Sequence, residues 1–254
     1  MRQLILNPPC VSASVSCMDL LHLKEQIVET EQSGISFFHY DMVDGKFNKC
    51  FILGDTLLEM MRSEVTLPIE AHLAAYNPDA YIERFAKLGA DYIAVHYEAM
   101  EHPLKTFDLI RKFGAQPVLA FKCDTAPPDD FLALAKEVPW ILKLTVNPGF
   151  SGQTMQQNSL GHIKEMRHRL SEAGMSVSIQ ADGNVNPSTV NTLYQAGADI
   201  FTGGTSGLFN PGIQSRRIKR SCCPFFTLKP ISITIGNFAF DFIITIGYNF
   251  VIAK

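Results

Sequence analysis

Two short alternations in the chain bring imidazoles and carboxylates to shared faces. If Phe37-Phe38-His39-Tyr40-Asp41 is a strand, His39 and Asp41 point one way while Phe38 and Tyr40 point the other. In Glu70-Ala71-His72 the same alternation pairs Glu70 with His72, and Gln180-Ala181-Asp182-Gly183 adds a further carboxylate at a strand end. Should these faces meet, two imidazoles and two carboxylates make a site for one divalent transition metal ion such as Zn, Mn, Fe or Co. For any one of these residues, a hydrogen-bonded place at a strand end is the plainer alternative. Convergence from three separated segments is harder to obtain by accident. Two glycine-rich loops add an anion-binding potential: Asn147-Pro148-Gly149-Phe150-Ser151-Gly152-Gln153 and Gly203-Gly204-Thr205-Ser206-Gly207. Such loops let backbone N–H groups close on a phosphate, although Pro-Gly is also an ordinary turn.

The elements that would carry these residues alternate along the chain. Strands are expected at Val11–Ser16, Ile35–Asp41, Pro68–Ala74, Asp91–His96, Pro117–Lys122, Trp140–Val146, Ser176–Asp182 and Asp199–Gly204. Helices are expected between them at Leu20–Thr30, Thr56–Arg62, Pro78–Leu88, Leu104–Phe113, Asp129–Glu137, Ser159–Glu172 and Pro187–Gln195. Gly89, Gly174 and Gly197 each follow a periodic run, as helix stops do. Alternating strands and helices imply right-handed βαβ units and a parallel sheet. A strand every 25–30 residues or so suits a closed (β/α)8 TIM barrel, whose chemistry sits at the C-terminal ends of its strands. The rival, an open doubly wound sheet, would want a GxGxxG after its first strand, and none is present.

Composition narrows the class of function. The chain has 254 residues, 46% hydrophobic and 19% charged, with a net charge of −3, which is ordinary for a globular protein and offers no basic surface for nucleic acid. Its 6 cysteines show no CxxC spacing, so reduced thiols in a cytoplasmic setting are expected. Pro8-Pro9 interrupts the N-terminal apolar stretch, which argues against an export signal, and no membrane association is expected.

Five stretches together resemble the ribulose-phosphate 3-epimerase family, in its order and spacing over roughly residues 10–210. They are Ser12-Ala13-Ser14-Val15-Ser16-Cys17-Met18-Asp19-Leu20, His39-Tyr40-Asp41-Met42-Val43-Asp44-Gly45, Glu70-Ala71-His72-Leu73, Leu144-Thr145-Val146-Asn147-Pro148-Gly149-Phe150-Ser151-Gly152-Gln153 and Ala181-Asp182-Gly183. The pieces Cys17-Met18-Asp19-Leu20-Leu21 and Gly204-Thr205-Ser206-Gly207-Leu208-Phe209 lean towards its allulose-6-phosphate 3-epimerase branch. The resemblance implies an isomerase that inverts C3 of a ketose phosphate, converting D-allulose 6-phosphate to D-fructose 6-phosphate. The alternatives are D-ribulose 5-phosphate to D-xylulose 5-phosphate, or a catalytically inactive sugar-phosphate-binding barrel. It further implies Asp41 and Asp182 as the acid/base pair and His39, Asp41, His72 and Asp182 as ligands of one divalent metal. Substrate would be held by Ser14, His72 and Asp182, by Gly149, Phe150, Ser151 and Gly152, by Gly183 and Asn184, and by Gly204, Thr205 and Ser206. Family members are often homo-oligomers, so the resemblance allows one here. No nucleic-acid or membrane partner is implied.

The chain departs from that family in three respects. Val43, Ala74 and Leu144 stand where its pocket usually carries methionines, which keeps the wall apolar but leaves room beside Ala74. Asn184 replaces a common glycine, while His96 and Glu98 read as structural and Lys122 has no assigned role. After the eighth strand the barrel needs a last helix, but Arg216-Arg217-Ile218-Lys219-Arg220 and an Ile- and Phe-rich, β-prone stretch follow instead. The expectation is a catalytic barrel over 1–210 and an atypical hydrophobic tail over 211–254, read as a shifted reading frame rather than a tail anchor or a native extension.

Overall fold

The computed structural model describes residues 6–149 and 152–210 and the two strands at 231–235 and 238–242. Strands form at β1 (Cys10–Ser14), β2 (Phe37–Asp44), the two-residue β3 (Phe51–Ile52), β4 (Ile69–Ala74), β5 (Tyr92–His96), β6 (Gln116–Phe121), β7 (Trp140–Leu144), β8 (Ser178–Asp182) and β9 (Ile200–Gly203). All of these except β3 pair in parallel with their neighbours, and β9 returns to β1 with Cys10 opposite Ile200 and Ala13 opposite Gly203. The sheet is therefore a closed eight-stranded TIM barrel, as the alternation predicts; β3 merely extends β2 as an antiparallel hairpin.

The outer layer is α1 (Leu23–Gln32), α2 (Asp55–Arg62), α3 (Asp79–Lys87), α4 (Pro103–Lys112), α5 (Phe131–Ala135), α6 (Gln157–Glu172) and α7 (Val190–Ala196). Two differ from expectation for local reasons. The run from Leu20 begins as a 3-10 turn, where Asp19 accepts the Leu21 N–H at 3.0 Å, before α1 continues. The helix expected from Pro187 begins only at Val190. Asn186 Oδ1 takes the Ser188 N–H at 2.9 Å, a side-chain bond that competes with the helical pattern.

Side chains inside the barrel stack in layers. At the bottom, Phe37, Tyr92 and Trp140 form an aromatic plug, with ring centroids 5.4 Å apart for Phe37–Trp140 and 4.5 Å for Tyr92–Trp140. Above it lies a buried polar layer that includes Ser12, His39, Glu70, Gln180 and Thr202. The top layer brings together Ser14, Asp41, His72 and Asp182, at the C-terminal strand ends where a barrel of this kind opens. The other faces of the strands carry Phe38, Tyr40, Ile69, Leu119, Ile141 and Phe201 into the core under the helices.

After β9 the chain turns, the Phe209 N–H reaching Gly204 O at 3.0 Å, and no helix follows among the described residues. The strands β10 (Ile231–Ile235) and β11 (Phe238–Phe242) pair antiparallel as a separate sheet. The basic cluster at 216–220 and the rest of the tail lie outside the described residues. Among the described residues no helix is long and apolar enough to cross a membrane.

Candidate active site

Alternation on β2 turns His39 and Asp41 inward, that on β4 turns in His72, and β8 ends on Asp182. One ligand atom from each of the four lies within 4.8 Å of all the others. His39 Nε2 is 2.9 Å from Asp41 Oδ1 and 3.6 Å from Asp182 Oδ2, and His72 Nδ1 is 3.0 Å from Asp41 Oδ1. The polar layer beneath fixes where the His39 proton sits. Glu70 is wholly buried and receives the Trp140 Nε1–H at 2.9 Å, the Gln180 amide at 2.9 Å and His39 Nδ1 at 2.6 Å. A carboxylate oxygen accepts, so His39 Nδ1 donates to Glu70, and Nε2 is the nitrogen aimed at two carboxylate oxygens. Carboxylate oxygens converging on that nitrogen call for a cation there, either a proton on the ring or a metal ion in its place. Two imidazole nitrogens and two carboxylate oxygens are a donor set that Zn, Mn, Fe or Co accepts. The residues present therefore fit a divalent metal.

The electrostatics carry the same signature. Burial opposes a charge on His39, but Asp41, Glu70 and Asp182 outweigh it and raise its pKa well above the ordinary value. Burial would raise Asp41, yet the two histidines pull its pKa well below the usual carboxylate range. Asp182 goes the other way: burial, with the nearby Asp41 charge, lifts it to about 6 against the pull of His39. Two like side chains are thus held in opposite proton affinities.

The mouth above this cluster is walled by the two glycine-rich loops. Gly149, Gly152, Gly183, Asn184, Gly204, Thr205 and Ser206 line the same pocket as Ser14, Asp41, His72 and Asp182. Phe150 and Ser151, expected to bind substrate with them, lie outside the described residues. Gly183 has φ +115°, and a Cβ there would come within 2.5 Å of Val146. The loop after β8 thus turns where only glycine fits. Asn184 follows in the left-handed region at φ +51°, which Asn tolerates, and its carbonyl receives the Thr189 hydroxyl at 2.6 Å. Val43, Ala74 and Leu144 supply the apolar wall.

Sequence reasoning brought out the four inward residues but not all their partners. Ser16 stands beside Ser14, both hydroxyls 3.0 Å from Asp41 Oδ2. It sits in the 3-10 turn Val15–Cys17 just past β1, and its place two residues after Ser14 in the expected strand Val11–Ser16 could have flagged it. The same alternation places Glu70 on the His72 face, but it does not foresee the bonds of Glu70 to His39, Trp140 and Gln180. His96 and Glu98, read as structural, join the site: His96 Nε2 is 2.8 Å from His72 Nε2. Lys122 meets aromatic rings, its ammonium 4.0 Å from the Phe47 centroid and 5.6 Å from that of Tyr76.

Residues 10–209 match the Ribulose-phosphate 3 epimerase family. The chain belongs to this family of isomerases. It is 32% identical to the ribulose-phosphate 3-epimerase of Methanocaldococcus jannaschii over 196 residues, covering 77% of this chain and 82% of that protein. The Bacillus subtilis ribulose-phosphate 3-epimerase is 33% identical over 197 residues, covering 77% and 90%. That of Escherichia coli K12 is 31% identical over 208 residues, covering 81% and 89%. Among solved structures, a mutant tryptophan synthase α-subunit from Pyrococcus furiosus superposes with a TM-score of 0.59 at 12% identity, over 80% of this chain and 89% of that one. At that identity the likeness speaks for the barrel alone. Against the family pattern, the four inward residues, the two glycine-rich loops and the strand-end geometry occur together on one face of one barrel.

Proposed function

We propose that this barrel epimerises a ketose phosphate at C3, using Asp41 and Asp182 as the acid/base pair. The observation that carries the reading is the pair of carboxylates at the ends of β2 and β8, brought together with His39 and His72 in one pocket. Inverting a carbon beside a carbonyl means taking a proton from one face and returning one to the other. That needs two groups poised differently near neutral pH. Asp41, held ionised by His39 and His72, takes the C3 proton. The C3–H electron pair becomes the second C2–C3 bond and the C2 carbonyl oxygen takes the negative charge, giving an enediolate; Asp182, which holds its own proton more tightly, then delivers it to C3 on the opposite face and the carbonyl re-forms. A divalent metal held by His39, Asp41, His72 and Asp182 supplies, when bound, the positive charge that stabilises the enediolate. Ser14 and Ser16 hold Asp41 in place and offer hydroxyls to the sugar. The backbone N–H groups of Gly149 and Gly152, of Gly183 and Asn184, and of Gly204 to Ser206 suit a phosphate.

The names of the relatives support D-ribulose 5-phosphate as the substrate. A second reading, D-allulose 6-phosphate, is favoured by Ala74, whose small side chain sits in the pocket wall where a longer sugar needs space. Both are tested by proton NMR of C3 in D2O, with purified protein, a divalent metal and each sugar offered separately. Deuterium entering C3 of D-ribulose 5-phosphate is expected. Exchange on D-allulose 6-phosphate alone would select the second reading. No exchange on either sugar by folded, metal-loaded protein would overturn the epimerase reading in favour of a sugar-phosphate-binding barrel.

A further inference from the structure

We propose that His96 and Glu98 are positioning residues that fix the tautomer of His72, leaving its Nδ1 bare for a metal. This rests on the metal-dependent reading above but concerns residues outside the ligand set. His96 is fully buried at the end of β5, packed between the His72 ring and Phe47, with centroids 5.0 Å and 4.6 Å away. Its two nitrogens have different partners. Nδ1 is 3.2 Å from Glu98 Oε2, and Nε2 is 2.8 Å from His72 Nε2.

The direction of the protons follows from the one group in this chain that can only accept. Glu98 takes the Lys122 N–H on Oε1 at 2.8 Å and a further hydrogen bond from the Thr125 side chain, so the proton between it and His96 belongs to His96 Nδ1. A neutral His96 protonated on Nδ1 has a lone pair on Nε2. The 2.8 Å contact is then a bond donated by His72 Nε2–H. His72 is left with its lone pair on Nδ1, facing the cluster 3.0 Å from Asp41 Oδ1. The reverse arrangement sets two lone pairs together in a buried place, either between the imidazoles or between His96 and Glu98, at the cost of an unmade bond.

The two histidines in the cluster are thus oriented by different devices. His39 is backed directly by the Glu70 carboxylate and presents Nε2. His72 is backed by a neutral imidazole and, behind it, by a carboxylate, and presents Nδ1. The carboxylate end is itself braced. Thr125 N–H bonds Lys122 O at 3.2 Å to close the turn that grips Glu98. The buried Lys143, on the outward face of β7, donates to Thr125 O at 2.6 Å and also to Lys122 O. The line from Lys143 through the turn, Glu98 and His96 to His72 joins β7, β6, β5 and β4.

Two measurements on the full chain test this. The first is the tautomer of His96 in the Zn2+-loaded protein, read from long-range proton–nitrogen correlations of the ring. Protonation on Nδ1 is expected, and protonation on Nε2 overturns the proposal. The second is Zn2+ affinity by chelator competition without sugar, which does not depend on turnover. His96→Met removes the acceptor and is expected to weaken binding about 10- to 100-fold, the range for lost partners behind a metal ligand. His96→Gln keeps an acceptor near the Nε2 position and is expected to stay within about threefold of wild type. Equal affinity for His96→Met and wild type, or equal loss in both variants, overturns it. If His96→Met does not fold, the tautomer decides. Wild type that binds Zn2+ without exchanging C3 fails the epimerase reading alone. Wild type that binds no Zn2+ fails this inference and the metal reading together.

Discussion

Asp41 and Asp182 are the same residue in different company. Burial acts on both, but hydrogen bonds and charge from two histidines outweigh it at Asp41, whereas at Asp182 burial and the neighbouring Asp41 charge prevail over the pull of His39. Replacing either by Asn keeps the shape and removes the proton acceptor. Asp41→Asn and Asp182→Asn are each expected to slow deuterium entry at C3 by about 10²- to 10⁴-fold, the usual share of a positioned acid or base. A variant that exchanges at the wild-type rate would remove that residue from the proposed pair. Ala74 belongs to the same scale. It is buried beside Val43 and Phe47, so a longer side chain there extends towards the pocket. Ala74→Met is expected to shift the ratio of kcat/KM towards the five-carbon sugar by about tenfold or more, the discrimination a pocket gains per methylene. An unchanged ratio on both ketose phosphates would show that Ala74 does not set sugar length.

At the scale of elements, the tops of β4, β5 and β6 act as one unit because Glu98 ties them. Its own proton affinity makes this visible in stability. Burial alone would raise the Glu98 pKa, but the hydrogen bond from His96, the charge His96 gains in acid below about 4, and hydrogen bonds from Thr125 and the Lys122 backbone bring it down to about 2. An unfolded Glu titrates near 4.3. The folded carboxylate thus stabilises the protein above the unfolded pKa, and this is lost as pH falls from about 4.5 towards 2. The gap corresponds to about 3 kcal/mol. Glu98→Gln is expected to lower the urea midpoint at pH 7 and to differ from wild type by about half as much at pH 3; an equal gap at both pH values would contradict the account. The same unit shows what could be read from the sequence. Alternation alone placed His39, Asp41 and His72 on inward faces, since strand period is a local property. It could not show that His96 touches His72 or that Glu98 meets the Lys122 N–H, 24 residues away, because those contacts depend on the register between strands. The Val190 helix start was missed for the opposite reason, a local side-chain bond at Asn186 overriding the periodic pattern.

At the scale of the molecule, the barrel closes without residues 211–254. β9 pairs with β1 through Ala13 and Gly203, the family match ends at 209, and the four inward residues and the described pocket lie between residues 14 and 206. Whatever the tail does, it holds no member of that cluster. Its sequence is apolar and β-prone, the kind that drives association between chains. A barrel also needs cover over the outer faces of β9 and β1, where an eighth helix would lie. The two considerations predict separable effects of ending the chain at Asn210. Zn2+ affinity of the folded fraction is expected to stay within about threefold, since all four ligands stand on barrel strands before residue 210. Association measured by light scattering is expected to fall. Thermal stability is the sensitive term: each 100 Å2 of apolar surface left bare costs about 2.5 kcal/mol against a total of about 5–15. A truncated chain with unchanged melting temperature and metal affinity would establish 1–210 as the complete folding unit. Loss of cooperative unfolding on truncation would show instead that residues beyond 210 cover the seam where the barrel closes, and that the boundary at 210 is wrong.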